Sequence, residues 1–237
     1  MPCVPPSGAP LSGRTIRLDP VQLADAHDLF AVFSDPGVYA QGYAMGRPHV
    51  TPAETERLLE TAVAARAEDG TGRTAYTIRL ASDGSLGAAG TVVGTTSLGD
   101  IDLVREHAHL GWTVYGSTWW GTAVNPEAKL LLLTHAFDDC GFGRVKIQTD
   151  VINTRSRAAI QRLGATFEGI TRRDIRRADG TWRDSAVHSI LVDEWPAVRS
   201  GLLARLERWP VPPQAGTVKA TAPARAGDAR PGLRGDP

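Results

Sequence analysis

Cysteine is nearly absent: the 237 residues hold two, Cys3 near the N-terminus and Cys140 at an expected helix end. Residues so far apart give no disulfide framework and no zinc-ligand spacing, so a reducing compartment and no metal are expected. Net charge is absent too. The 26 Lys and Arg residues balance 26 Asp and Glu, which argues against a broad nucleic-acid surface. No apolar run has the length of a membrane span, and the first residues have neither the basic start nor the apolar centre of a secretory signal. A cytoplasmic protein with no membrane or nucleic-acid partner is the expectation. No internal repeat is evident.

What remains is an ordinary globular composition, 42% hydrophobic and 22% charged, sufficient for one core. The ends differ from the middle. Residues 1–12 contain four prolines, and residues 209–237 are dominated by Pro, Ala, Gly and Arg, with four basic and two acidic side chains. Both are expected to be disordered tails, leaving a single domain over 13–208.

Within that domain strands and helices alternate. A strand is expected over Thr15 to Leu18, with Asp19-Pro20 then capping a helix that carries Leu23, Leu29 and Phe33. Thr51-Pro52-Ala53-Glu54 has capping-box spacing, and Leu58, Leu59, Ala62 and Val63 continue one helical face. Residues 74–80, 90–98 and 107–115 are β-rich runs that predict an antiparallel meander. A helix follows over Pro126 to Phe142, halted by Gly141 and Gly143, and then a strand over Arg144 to Val151. Strand, helix and strand in that order imply a parallel pair. A short helix over Thr154 to Leu163 ends at Gly164; a hairpin turns at Asp179-Gly180; Trp195 to Leu206 forms a last helix.

Between the third run and its helix lies Gly-Trp-Thr-Val-Tyr-Gly-Ser-Thr-Trp-Trp-Gly-Thr-Ala-Val-Asn-Pro-Glu, residues 111–127. Small residues at Gly121 and Ala123 let a ligand approach the backbone where the first amides of a helix lack partners, which is an anion cradle suited to a pyrophosphate. The loop leaving the first strand of a parallel pair also lies at the edge where α/β sheets bind ligands.

The Gly121-Thr122-Ala123-Val124 turn with Glu127-Ala128, then Asn153-Thr-Arg-Ser156, Gly164-Ala165 and Asp179-Gly180-Thr-Trp-Arg-Asp184, resembles the GNAT acyl-CoA N-acyltransferases over residues 13–196. The branch that acetylates N-termini of ribosomal proteins is the most similar. The resemblance implies a mixed α+β fold: a mostly antiparallel sheet with one splayed parallel strand pair, flanked by helices. It implies acetyl-CoA as co-substrate, the backbone of Trp112, Thr113 and Val114 along the pantetheine arm, the amides of Trp120, Gly121, Thr122, Ala123 and Val124 at the pyrophosphate, and Asn153 on the cofactor arm. Where relatives have Gln or Arg at the start of the turn, this chain has Thr118.

The implied chemistry is direct attack of a neutral amine on the thioester, which needs a base for the amine and an acid for the departing thiolate. Backbone donors near Val114 are the implied support for the carbonyl oxygen. His109 stands where many relatives carry Glu and is the candidate base, with Asp174 as a weaker one. Ser156 is the candidate acid, since Ile160 replaces a Tyr common in the family. Each has a plainer role available: His109 as a residue of a half-exposed strand, Ser156 as a first-turn residue, and Trp119 and Trp120 as packing.

The acceptor side is expected in the loop 35–50, where Tyr39, Gln41, Tyr43, Met45 and His49 form a partly aromatic surface, Tyr39 and Tyr43 foremost, with only Asp35 and Arg47 charged. A peptide N-terminus or a small amine fits such a wall better than a strongly cationic aminoglycoside. Three readings stay open: a protein or peptide N-terminal acetyltransferase, a small-amine acetyltransferase of the antibiotic-inactivating kind, and a non-catalytic acyl-CoA-binding module. Monomer and homodimer are both compatible with the sequence.

Overall fold

The computed structural model describes residues 2–40, 46–177 and 179–209. Eight strands make one mixed sheet: β1 (Leu11–Ser12), β2 (Ile16–Pro20), β3 (Thr74–Leu80), β4 (Val92–Asp102), β5 (His107–Tyr115), β6 (Arg144–Asp150), β7 (Thr166–Arg176) and β8 (Trp182–Leu191). Their order is β1-β2-β3-β4-β5-β6-β8-β7, and the single parallel contact is β5 with β6. Six α-helices flank it: α1 (Ala26–Phe33), α2 (Pro36–Tyr39), α3 (Pro52–Ala64), α4 (Val124–Thr134), α5 (Thr154–Leu163) and α6 (Trp195–Leu206).

Period-two alternation divides the helices between the two faces of the sheet. Val93 points into a core shared with Leu132 and Leu133 of α4, Ile160 of α5 and Leu202 of α6. Its neighbour Val92 points the other way, into a cluster with Leu29 of α1, Leu59 of α3 and Val38 of α2.

Several boundaries depart from expectation for local reasons. Asp19 and Pro20 do not cap a helix; both belong to β2, pairing with Thr77 and Tyr76. The helical turn begins after Gln22, whose amide donates to Asp25 Oδ2 at 3.0 Å. At α3 the box is displaced by one residue, because Glu54 accepts from the amide of Val50 at 2.7 Å rather than closing on a Thr51 side-chain cap. Helix α4 starts at Val124, and its continuation His135–Asp139 widens into a π-turn, so the α-helix does not run to Phe142. Helix α5 ends as expected, at Gly164 with φ of 94°.

The N-terminal segment is not a free tail. Leu11 and Ser12 pair with Leu18 and Arg17, the amide of Val4 donates to the carbonyl of Cys140 at 2.9 Å, and Cys3 and Leu11 pack on the main core. Proline-rich composition was outweighed by an open sheet edge and two apolar anchors. The Glu127 carboxylate, 3% exposed, accepts from the amides of Arg14, Thr15 and Ile16 at 2.6, 2.7 and 3.0 Å and so ties the start of β2 to α4. The expected C-terminal tail lies outside the described residues beyond Trp209.

Candidate functional site

Strands β5 and β6 share only three rungs: His107 with Arg144, Ala108 with Val145 and His109 with Lys146. Beyond them each strand keeps its outer partner, β5 with β4 to Tyr115 and β6 with β8 to Asp150. The inner edges separate, leaving a slot whose backbone groups are unpaired across it.

A bulge sets the shape of the β5 wall. Thr95 pairs with Val114 and Ser97 with Gly111, so Thr96 alone faces both Trp112 and Thr113, and Trp112 adopts φ of 51°. Such a bulge bends the strand and re-aims its groups. The slot opens into a cleft of about 820 Å³ walled by β5, β6, the turn after β5, α4 and α5.

At one end the turn presents backbone donors. Gly121 has φ of 75° with open space where a Cβ would stand, and among the described residues the amides of Gly121, Thr122 and Ala123 have no hydrogen-bond partner. These are orphan donors at the N-terminus of the eleven-residue α4. The amides of Trp120 and Val124 differ, since the carbonyl of Ser117 accepts from the first at 3.2 Å and Thr122 Oγ1 from the second at 3.3 Å. The side chains of Ala123 and Val124 face the core, so only backbone groups of these two bear on an anion. Trp120 donates its Nε1–H to the carbonyl of Tyr115 at 3.0 Å, and the Arg155 guanidinium lies 3.7 Å above its ring.

Farther in, His109 is 5% exposed, far from the half-exposed strand residue of the plainer reading. Its Nδ1 lies 3.0 Å from Asp100 Oδ2, which also accepts from Lys146 Nζ at 3.1 Å. The imidazole and ammonium hydrogen bonds hold the Asp100 carboxyl well below the usual range. Burial pushes the His109 imidazolium below its ordinary value, opposed by the hydrogen bond to Asp100. With Nδ1–H turned to Asp100, Nε2 is the acceptor nitrogen, buried and without a hydrogen-bond partner among the described residues. A Cβ on residue 111 would fall 2.7 Å from Nε2, which is why a glycine stands there.

Asn153 and Ser156 line the opposite wall. The Asn153 side-chain oxygen caps α5 by accepting from the amide of Ser156 at 2.9 Å, and its NH₂ has no partner among the described residues. The Ser156 hydroxyl has no partner among the described residues. Trp112, Thr113, Trp120, Gly121 and Thr122 also line the cleft, whereas the side chain of Val114 packs with Val92 on the far face.

Two expected residues are elsewhere. Asp174 accepts from Ser185 Oγ at 2.5 Å and is not part of the cleft wall. Tyr39 is half-buried against the α1–α3 cluster, where burial pushes its phenol up to about 12, and it is Val38 that reaches the cleft. Tyr43 lies outside the described residues, with Gln41 and Met45.

The structure adds groups that sequence reasoning passed over. Asp150 is buried in the wall, fixed by Arg177 Nε and Nη2 at 2.8 and 2.9 Å. Lys129 of α4 reaches the cleft from below and donates to Thr113 Oγ1 at 3.2 Å. Its rarity was the available signal, since Lys129, Lys146 and Lys219 are the only lysines among 26 basic residues. No cluster of His, Cys, Asp and Glu with metal-holding geometry occurs among the described residues.

Comparison with known proteins agrees with this geometry. Residues 15–166 match the family model described as an acetyltransferase (GNAT) domain. YdaF of Bacillus subtilis, provisionally named a ribosomal N-acetyltransferase, is 32% identical over 106 residues, 45% of this chain and 57% of that protein, so the match spans little more than half of the relative. A GCN5-related N-acetyltransferase from Brucella melitensis superposes with a TM-score of 0.76 at 28% identity, covering 86% of this chain and 88% of its own. Mycobacterium smegmatis RimJ, solved with CoA-disulfide, has the same fold, with a TM-score of 0.68 at 20% identity over 85% of this chain and 97% of its own. With a sheet opened at one parallel pair, orphan amides at the mouth of the opening and a family model matched across both, the chain belongs to the GNAT acetyltransferase family.

Proposed function

We propose that this chain transfers the acetyl group of acetyl-CoA to the N-terminal amine of a protein or peptide, by direct attack in a ternary complex. The observation that carries the reading is the three-rung contact between β5 and β6, which leaves an unpaired strand edge running from His109 to a turn with orphan amides. A pantetheine arm carries amides able to satisfy such an edge, and a pyrophosphate suits the turn.

When bound, acetyl-CoA supplies an activated thioester. The amides of Gly121, Thr122 and Ala123 hold the diphosphate, the open edge of Trp112 and Thr113 takes the arm, and the Asn153 amide steadies it. His109 Nε2 accepts the proton of the incoming amine, directly or through one water, while Asp100 keeps Nδ1 protonated. Ser156 Oγ gives a proton to the leaving sulfur. A positioned base of this kind contributes about 10²–10⁴-fold.

Two facts support an N-terminal acceptor over a polycation. The relative YdaF carries the name of a ribosomal N-acetyltransferase. The described carboxylates on the acceptor side are also already engaged: Asp35 by the amides of Ser117 and Gly37 at 2.8 Å each, and Glu54 by Arg47 at 2.6 Å.

Thermal unfolding with and without acetyl-CoA, with adenosine diphosphate as control, tests the donor. At ~100 times its Kd a ligand stabilises by about 2.7 kcal/mol. Thiol release with peptides bearing free Ala or Ser N-termini, against the same peptides blocked and against aminoglycosides, tests the acceptor. Release with aminoglycosides alone would replace the acceptor class, and no stabilisation by acetyl-CoA would overturn the reading.

A further inference from the structure

A chain that writes almost every cation as arginine places one of its three lysines inside the cleft. The choice matters chemically, because a guanidinium never yields a lone pair in a protein whereas an amine does once its ammonium is destabilised. Lys129 lies on α4 beneath the bulge of β5. Its Nζ donates to Thr113 Oγ1 at 3.2 Å, and that hydroxyl is within 2.8 Å of Thr96 Oγ1. Among the described residues no carboxylate comes within ion-pair distance of Nζ: Asp150, on the facing wall, is committed to Arg177, and Asp100 to His109 and Lys146. An ammonium held by one neutral hydroxyl has nothing to offset its desolvation, and burial pushes it down to about 7.

We propose that Lys129 is an internal acyl acceptor, a modification site at which the chain acetylates itself from an acyl-CoA thioester bound in the slot. This rests on the donor reading above, since it needs the thioester to lie along Trp112 and Thr113. The Nζ lone pair attacks the thioester carbonyl carbon. The N–C bond forms, the C–S bond breaks, the electron pair leaves on sulfur as the CoA thiolate, and the proton shed by nitrogen neutralises that thiolate. Nothing else is consumed. The product is a neutral amide on α4 in place of an amine, occupying part of the slot and ending the lysine's capacity for charge.

The experiment uses the full chain, acetyl-CoA and no external acceptor. Cleavage at arginine separates the lysines: residues 106–144 carry Lys129, residues 145–155 carry Lys146 and residues 209–225 carry Lys219. The expected result is one acetyl mass gained on 106–144 at least about tenfold faster than on the other two peptides, as an oriented intramolecular reaction requires. The gain is lost in urea-unfolded chain and in K129R and K129M, while both variants still show a thermal shift with acetyl-CoA. Lys129 labelled no faster than Lys219, with acetyl-CoA still stabilising the chain, overturns this proposal and leaves the donor reading standing. Absence of any stabilisation by acetyl-CoA overturns both.

Discussion

The Arg155 guanidinium stacks 3.7 Å over the Trp120 ring, joining the first turn of α5 to the turn ahead of α4 across the mouth of the cleft. Trp120 is further tied to Tyr115 by its indole N–H. Cation–π pairs at exposed sites contribute about 0.5–1 kcal/mol. Calorimetric titration of acetyl-CoA into W120A, R155A and the double variant should show each single change weakening binding and the double no worse than the weaker single. Strictly additive losses would mean that the two residues act on the ligand independently.

Activity should fall on the acid side as His109 gains a proton. Burial sets its folded pKa below 6.5, so the limb lies below that value, and Asp100 raises it from where burial alone would put it. Replacing Asp100 with Asn removes the raising contribution, and the limb in kcat/KM should move to lower pH. H109A should abolish the limb with a loss of about 10²–10⁴-fold. A limb that persists unchanged in H109A would show that another group sets it.

Glu127 is a stability residue rather than a contributor to the cleft. Its truncation in E127A strands three amide donors at the start of β2. Only the Ile16 bond is fully buried, and a buried donor left unpaired costs about 1–3 kcal/mol, so the loss should be of about that size. At about 2–4 °C per kcal/mol for a chain of this size, Tm should drop by roughly 2–12 °C, with E127Q recovering part of it. A Tm unchanged in E127A would show that water replaces the carboxylate without cost.

At Gly121 the demand is on the backbone alone. The φ of 75° disfavours a side chain although space is open around the Cα. G121A should therefore cost about 1 kcal/mol in urea unfolding and also weaken acetyl-CoA binding, since the donors no longer converge. Loss of stability with affinity intact would place the anion elsewhere.

The sequence was most legible where period and punctuation agree. The bounds of β3 and β5, the stop of α5 at Gly164 and the extent of α6 follow from alternation, a left-handed cap and an apolar helical stripe. It was least legible where geometry depends on a distant partner. A bulge at Trp112 and Thr113 leaves no local mark, because a non-glycine residue carries the positive φ. Residues 2–12 read as a tail because an open edge at β2 and the carbonyl of Cys140 cannot be inferred from prolines. In the site, the small residues of the turn at 121–124 stood out in the sequence, whereas Asn153 and Ser156 were proposed only through the family resemblance; Gly121, Thr122, Asn153 and Ser156 all line the cleft. Asp174, the weaker candidate base, instead accepts from Ser185, and Lys129 was hidden within an apolar helix run.

Three rungs are a narrow hinge for an eight-stranded sheet. The leaf β1 to β5 and the leaf β6, β8 and β7 are each laced along their own strands, and they meet along a seam sewn at one end only. A ligand lying in that seam would act as the missing stitching, so its arrival should register as stiffness. Slot-facing amides between Leu110 and Tyr115 that exchange with solvent in the free chain would become protected together, with no strand having moved.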